Sequence, residues 1–482
     1  AADRPVHQEA VHQVRDSISE PGDEVQRRLH DRRKTADGHH DAVVLRDQPL
    51  CDVHRMAGSL RPPEVDIESG LTECRLEPLP LPQGKAVSGV GIEYAGNASH
   101  APRERASDFN PAEGSNDEQG LRREAEMTEG EEHMRRAIEL AERGRHRVMP
   151  NPLVGCVLVK EGEAVAEGWH DHIGGLHAEQ MAIAEAESKG VETQGTTAYV
   201  TLEPCNHFGR TPPCTESLLW AGVAKVVIGA LDPNPTVRGD GAKSLQESGV
   251  VVVTGVLDDE CESQMEAFMH WCRERRPLVT LKASTDLSGR IDGDPSSPAV
   301  RFSSEESLDL AHIIRADSMA ILVGVGTVIR DDPSLTVRGP DLGPRERPTR
   351  VVIDPENRIP KDCRLMVDGE SPTLIIQSSE HDSADDEPHV ERIVIPERDI
   401  PIPRILDMLG DRGVQSLLVE GGADTWGRFL SAGMVDRARI CVSPTKLEGG
   451  VVRFDRRALS ESLELVSSTE VSGDTIEWWS RP

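Results

Sequence analysis

No run of about 18 consecutive apolar residues occurs in the 482-residue chain, and its first residues are polar, so the sequence offers neither a membrane span nor a signal core. Basic charge is also short: 54 lysines and arginines face 84 acids, a formal charge of -30. A surface of that sign repels nucleic-acid phosphates and anionic lipid headgroups, which argues against broad electrostatic binding to either. Lysine is scarcer still, nine of the 54 bases, and surplus acid with little lysine fits a protein of a salty cytosol. Nine cysteines in so long a chain are too few, too scattered and odd in number for a disulfide framework, which points to a reducing, cytoplasmic compartment. A Gly-x-Gly-x-x-Gly fingerprint after a strand is missing as well, so a Rossmann dinucleotide site is not indicated.

The length is enough for two or three domains. Residues 1–126 hold 24 acids and 16 bases, so the acidity lies mainly after Met127. They show no sustained apolar period, and prolines at 62, 63, 78, 80 and 82 interrupt them. The 1–127 segment is expected to be either a disordered tail or upstream sequence joined to a gene that starts at Met127. From Thr128 the texture changes, with a capping box leading into Met134, Ala137, Ile138 and Ala141, an amphipathic pattern that ends near Gly144. Strands over 154–159, 197–202, 225–230 and 250–254 then alternate with helices over 178–188, 213–221 and 241–248, and one helix carrying Cys261, Met265, Phe268, Met269 and Cys272 closes the unit. A charged break at Arg273–Pro277 marks a boundary near residue 276. A second α/β set follows, with strands over 278–283, 318–323, 349–353, 373–377, 392–395, 416–420 and 437–443, helices over 304–314, 402–412 and 425–432, and an acidic exposed loop over 378–390. The expected domains are thus 128–275 and 276–482.

The strongest chemistry lies at His177-Ala178-Glu179, followed 28 residues after His177 by Pro204-Cys205 and nine residues later by Pro213-Cys214. One imidazole and two thiolates make a three-ligand zinc set that leaves a fourth tetrahedral position for water. A His-x-Glu followed by Pro-Cys is the signature of zinc-dependent nucleobase deaminases, in which the glutamate is no ligand but moves protons. Zinc lowers the pKa of a bound water toward neutrality, and Glu179 is the expected proton carrier for attack on an amine-bearing ring carbon. Cys205 falls beyond the end of a strand and Cys214 in the first turn of a helix, where the N-terminal dipole favours thiolate. A zinc knot or plain buried thiols would be the blander reading. Cys156, Cys261, Cys272, Cys363 and Cys441 sit in apolar patterns and read as core.

Residues from about Glu131 to Arg481 resemble the bifunctional bacterial riboflavin-biosynthesis proteins that join a pyrimidine deaminase to an aminouracil reductase. The motifs that carry this are Asn151-Pro152, Val154-Gly155, His177-Ala178-Glu179, the run from Tyr199 through Cys205 to Cys214, and Asp232-Pro233-Asn234-Pro235. The nine-residue cysteine spacing is the one this family uses. The resemblance implies a cytidine-deaminase-like zinc domain followed by a dihydrofolate-reductase-like domain, both α/β. It also implies a small-molecule substrate, 2,5-diamino-6-(5-phosphoribosylamino)pyrimidinone, whose 2-amino group is hydrolysed off, with Asn151, His207, Arg210, Asp232 and Asn234 in contact with it. A plain turn is the rival reading of Asp232-Pro233-Asn234-Pro235.

The second half is similar to the family's reductase, which uses NADPH to convert the ribosyl group to ribityl. The matching motifs are Gly326-Thr327-Val328, Asp331-Asp332-Pro333, Leu335-Thr336-Val337-Arg338 and Val419-Glu420-Gly421-Gly422. Carried over residue by residue, Thr327, Asp331, the turn of Gly422, Ala423, Asp424 and Thr425, and Ser284 would hold NADPH. Arg315, Leu335, Arg338 and Glu420 would hold the substrate, the two arginines as partners of its phosphate. Where the family reads Lys-x-x-x-Ser-Leu-Asp-Gly, this chain has Lys282-Ala283-Ser284-Thr285-Asp286-Leu287-Ser288-Gly289, with Asp and Ser exchanged around Leu287. No nucleic-acid or membrane partner is expected, and assembly into a homo-oligomer stays open. The competing readings are a deaminase of another base with a degenerate second domain, and a non-catalytic zinc-stabilised binding protein.

Overall fold

The computed structural model describes residues 129–207, 212–234, 238–380 and 386–482; the expectations for 1–127 and for Arg210 lie outside them. Helix α1 (Glu129–Ala141) runs into a single 3-10 turn ending at Gly144, and Met134, Ala137, Leu140 and Ala141 form its buried face. Then follow β1 (Gly155–Lys160), β2 (Glu163–Trp169), α2 (Ala178–Ser188), β3 (Thr197–Leu202), α3 (Cys214–Trp220), β4 (Lys225–Ala230), α4 (Asp240–Glu247) and β5 (Val251–Thr254). The sheet order is β2-β1-β3-β4-β5, with β1 antiparallel to both neighbours and β3, β4 and β5 parallel. Alternation along the strands supplies two cores. Cys156, Leu158, Ala198, Val200, Val226 and Ile228 face α2 on one side. Val157, Val159, Tyr199 and Val227 face Met134, Cys261, Met265 and Met269 on the other.

The single closing helix expected over Cys261–Cys272 is two helices, α5 (Asp258–Gln264) and α6 (Glu266–Glu274), broken where Met265 leaves helical geometry at φ -114 and ψ 29. Strand β2 was not expected. It pairs with β1 through a two-residue turn, Glu161-Gly162, with φ of 54 and 85, the twist that two-residue hairpins favour.

The second set comprises β6 (Leu278–Asp286), α7 (Glu305–Ala316), β7 (Ala320–Gly324), α8 (Val325–Asp331), β8 (Thr349–Ile353), α9 (Arg364–Val367), β9 (Thr373–Gln377) and β10 (Val390–Val394). It continues with α10 (Ile402–Asp411), β11 (Ser416–Gly421), α11 (Ala423–Ser431), β12 (Arg437–Ser443), α12 (Arg456–Ser462), β13 (Glu464–Val471) and β14 (Asp474–Ser480). The strands form one sheet in the order β10-β9-β8-β7-β11-β6-β12-β14-β13, parallel except for the last two. One face buries Val279, Leu281, Leu322, Val351 and Val419 against α10 and α11, and the other buries Ile321, Val323, Val352 and Leu418 against Val328, Leu335 and Leu365. Strands β7, β11 and β6 are neighbours, so their carboxyl ends open onto one edge, where ligands of such sheets bind.

The two sheets meet at a polar seam. Arg276 makes two 2.8 Å bonds to the Asp436 carboxylate, Arg437 reaches Glu266 at 2.7 Å, the Trp271 Nε1–H donates to Gly410 O at 3.0 Å, and Arg145 pairs with Asp317 at 3.2 Å. Among the described residues no helix is long and apolar enough to cross a membrane.

Candidate functional site

His177 is the N-cap of α2, extended at φ -71 and ψ 161, and its N–H donates to Gln180 Oε1 at 3.2 Å. The Gln180 amide in turn donates to Pro212 O at 3.0 Å, which ties the histidine turn to the loop before Cys214. On that loop Pro213 caps α3, so Cys214 occupies the first helical position with its N–H directed at Cys205 Sγ, 3.4 Å away. Cys205 follows the end of β3. The outcome is one cluster: His177 Nδ1 is 3.2 Å from Cys214 Sγ and 3.6 Å from Cys205 Sγ, and the three donor atoms lie within 4.8 Å of one another. Two soft sulfurs and one imidazole so arranged suit zinc, and three protein ligands leave room for a fourth.

Glu179, in the first turn of α2, is 3% exposed. Burial raises its carboxyl above the usual carboxylate range, and the neighbouring Cys205 sulfur adds to the effect. Hydrogen bonding from Cys214 draws the Cys205 thiol down, while burial drives the Cys214 thiol up. Burial also pulls His170 down to about 4, so this ring is neutral. His170 donates from Nδ1 to Leu176 O at 2.8 Å, accepts the Asn151 Nδ2–H at Nε2 over 3.0 Å, and stands edge-on to His177 with ring centroids 5.5 Å apart. Asn151 is thereby held beside the metal ligands by a residue that sequence reasoning missed; the only hint was a pair of histidines, His170 and His172, between β2 and His177. Among the other expected contacts, Asp232 folds over its own turn by accepting the Asn234 N–H at 2.8 Å, and His207 is exposed.

At the open edge of the second sheet, β7 and β11 deliver α8 and α11 side by side. A Cβ at Gly324 would lie 2.6 Å from Thr425 Oγ1, and one at Gly422 would lie 3.5 Å from Thr327 Oγ1. The turn from Gly422 through Ala423 and Asp424 to Thr425 therefore meets the start of α8, and no side chain caps α11. An uncapped helix N-terminus behind a glycine pair suits a nucleotide phosphate, so the residues present fit a dinucleotide reductant. Asp331 ends α8, and Ser284 lies on β6 opposite Cys441 of β12.

The substrate residues expected here differ among themselves. Arg315 does not stand free to meet a phosphate: its Nε and Nη2 donate to the Glu420 carboxylate at 2.6 and 2.7 Å, and its Nη1 donates to Thr336 O at 3.0 Å. Burial would raise the Glu420 carboxyl, but the Arg315 charge and hydrogen bonds, with Lys282 and His312 adding to them, together outweigh this and hold it below the ordinary range. Lys282 stands close to both, its ammonium weakened by burial. Leu335 has φ of 49 and its side chain is buried in the core, 2% exposed. Arg338 is exposed, and no hydrogen bond or ion pair holds its guanidinium among the described residues, which makes it the better phosphate partner.

Two family models match the chain: the cytidine and deoxycytidylate deaminase zinc-binding region over residues 127–230, and the RibD C-terminal domain over 277–476. The fold and the sites define a zinc-dependent deaminase fused to an NADPH-dependent reductase. The riboflavin biosynthesis protein RibD of Aquifex aeolicus is 38% identical over 338 residues, which cover 69% of this chain and 92% of that protein. Its Escherichia coli counterpart is 38% identical over 335 residues, 67% of this chain and 89% of that one. A Thermotoga maritima structure described as a diaminohydroxyphosphoribosylaminopyrimidine deaminase/5-amino-6-(5-phosphoribosylamino)uracil reductase superposes with a TM-score of 0.64 at 34% identity, covering 73% of this chain and 99% of its own. Acinetobacter baumannii RibD gives 0.64 at 31% identity with the same coverage. The chain belongs to the RibD family of bifunctional riboflavin-biosynthesis enzymes.

Proposed function

We propose that residues 128–275 deaminate diaminohydroxyphosphoribosylaminopyrimidine and that residues 276–482 reduce the resulting 5-amino-6-(5-phosphoribosylamino)uracil to its ribityl form. The observation that carries this reading is the cluster of His177, Cys205 and Cys214 with the buried carboxyl of Glu179 beside it. Those three residues would hold zinc, which when bound would supply the Lewis acidity for hydrolysis at the ring carbon. Glu179 would take one proton from the attacking water at a carboxylate oxygen and give it to the ring nitrogen, then carry the proton of the new hydroxyl to the amine, which departs as ammonia while the ring carbonyl forms. A carboxyl raised by burial is suited to both halves of that transfer. Asn151, steadied by His170, together with His207, Arg210, Asp232 and Asn234, orients the substrate.

In the reductase, Ser284, Thr327, Asp331 and the Gly422–Thr425 turn hold NADPH, which supplies the reducing equivalents. Leu335 and Arg338 hold the substrate, and the Arg315–Glu420 pair shapes the pocket's polar wall. The surplus of acid supports a cytoplasmic enzyme that meets small molecules rather than nucleic acid.

The test is a coupled assay on the zinc-loaded chain, reading ammonia release and NADPH oxidation with the diaminopyrimidine. Glu179→Gln is expected to lower deamination by at least about a hundredfold. Zinc content, and NADPH oxidation with already deaminated substrate, should stay unchanged. Deamination of cytidine but not of the diaminopyrimidine would overturn the substrate assignment.

A further inference from the structure

Glu203 has no part in the roles assigned above. It stands between the end of β3 and Pro204-Cys205, and it is 6% exposed. Its Oε2 accepts the N–H of Asp232 at 3.1 Å and of Gly239 at 2.9 Å, and its Oε1 accepts those of Gly241 at 2.9 Å and Ala242 at 3.0 Å. No basic side chain pairs with this carboxylate among the described residues. A charge withdrawn from water needs such compensation, and among the described residues it comes from four backbone donors along one segment, Asp232, Gly239, Gly241 and Ala242. That segment contains Asp232, Asn234 and the first turn of α4. Gly241 permits the close approach, since a Cβ there would lie 2.1 Å from Pro204 O. The Glu203 N–H also donates to Ala230 O at 2.9 Å, so the end of β3 is fastened to both ends of the connection that leaves β4.

We propose that Glu203 is a positioning residue that fixes the Asp232–Asn234 turn against the loop bearing Cys205, and so governs the grip on the substrate rather than the chemistry at the ion. This rests on the reading of Asp232 and Asn234 as substrate contacts. Glutamine in its place keeps the shape but turns an NH2 group toward backbone N–H donors, which forfeits bonds on one side of the carboxylate and frees part of the segment.

Steady-state deamination of the diaminopyrimidine substrate by the zinc-loaded full chain tests this. Glu203→Gln is expected to raise KM about tenfold or more with kcat within about threefold of wild type, the pattern of lost substrate binding. Zinc content and reductase turnover should be unchanged, the latter reporting on folding in the same polypeptide. Gly241→Ala, which forces the same segment off Pro204, should reproduce the KM effect and serves if Glu203→Gln does not fold. Asp232→Ala separates the two ways of failing. KM raised there but unaltered in Glu203→Gln overturns the positioning role; KM unaltered in both overturns the substrate reading of Asp232 and the positioning role with it. Loss of zinc together with a fall in kcat would make Glu203 a support of the metal loop and overturn the proposal as well.

Discussion

The Arg315 guanidinium and the Glu420 carboxylate meet fork to fork, both largely withdrawn from water, with Lys282 as a second cation nearby. A buried pair of this kind contributes little over an apolar substitute, but losing one partner strands the other. Glu420→Ala should therefore cost about 3 kcal/mol or more of stability and abolish NADPH oxidation, read by urea unfolding and by the reductase assay. The pairing itself was not legible in the sequence. Arg315 and Glu420 are 105 residues apart, and a resemblance names each as a ligand contact without saying that they face one another. The metal ligands were legible because their spacing is the chemistry. Asn151's support by His170 was not, because neither His170 nor His172 has a spacing that names Asn151, 19 residues before His170, as a partner.

Most elements with a buried face were read, but β2, β14 and helix α8 were missed although each buries part of its length, and β13 offered no pattern at all. Strand β13 is exposed along nearly its whole length, so Glu464–Val471 shows no alternation, and its hairpin to β14 turns on Ser472-Gly473 with φ of 49 and 87. The exchange of Asp and Ser around Leu287 also resolves at this scale. Asp286 ends β6, and its carboxylate accepts the N–H groups of Ser288 at 2.7 Å, Arg290 at 2.9 Å and Leu447 at 3.2 Å. It pins the loop after β6 to the loop after β12, which makes it a structural anchor here. Asp286→Ala should leave the buried Leu447 N–H unsatisfied at about 1–3 kcal/mol and loosen the turn at Ser288 and Arg290, whereas Asp286→Asn keeps an acceptor toward Ser288 and Arg290 and should be milder. Thermal unfolding of the two variants distinguishes these outcomes.

Across the whole molecule, the seam between the two sheets carries the clearest dependence on pH. Burial alone would raise the Asp436 carboxyl, but Arg276 and the Val279 N–H hold it below its ordinary value. On acidification the unfolded chain takes up this proton before the folded one, so the stabilisation is complete above about pH 4 and fades as pH falls through the folded-state value. In urea unfolding, the gap between wild type and Asp436→Asn should be widest at neutral pH and close as the solution is acidified.

That seam has a further consequence. Trp271 and the Glu266–Arg437 pair stitch the last helix of one sheet to the other, and Arg276 fastens the linker between them, so the two catalytic halves share a common fate in melting while remaining separate in chemistry. A lesion that only loosens one site leaves the other at work; a lesion that melts either sheet strips the seam and silences both steps at once.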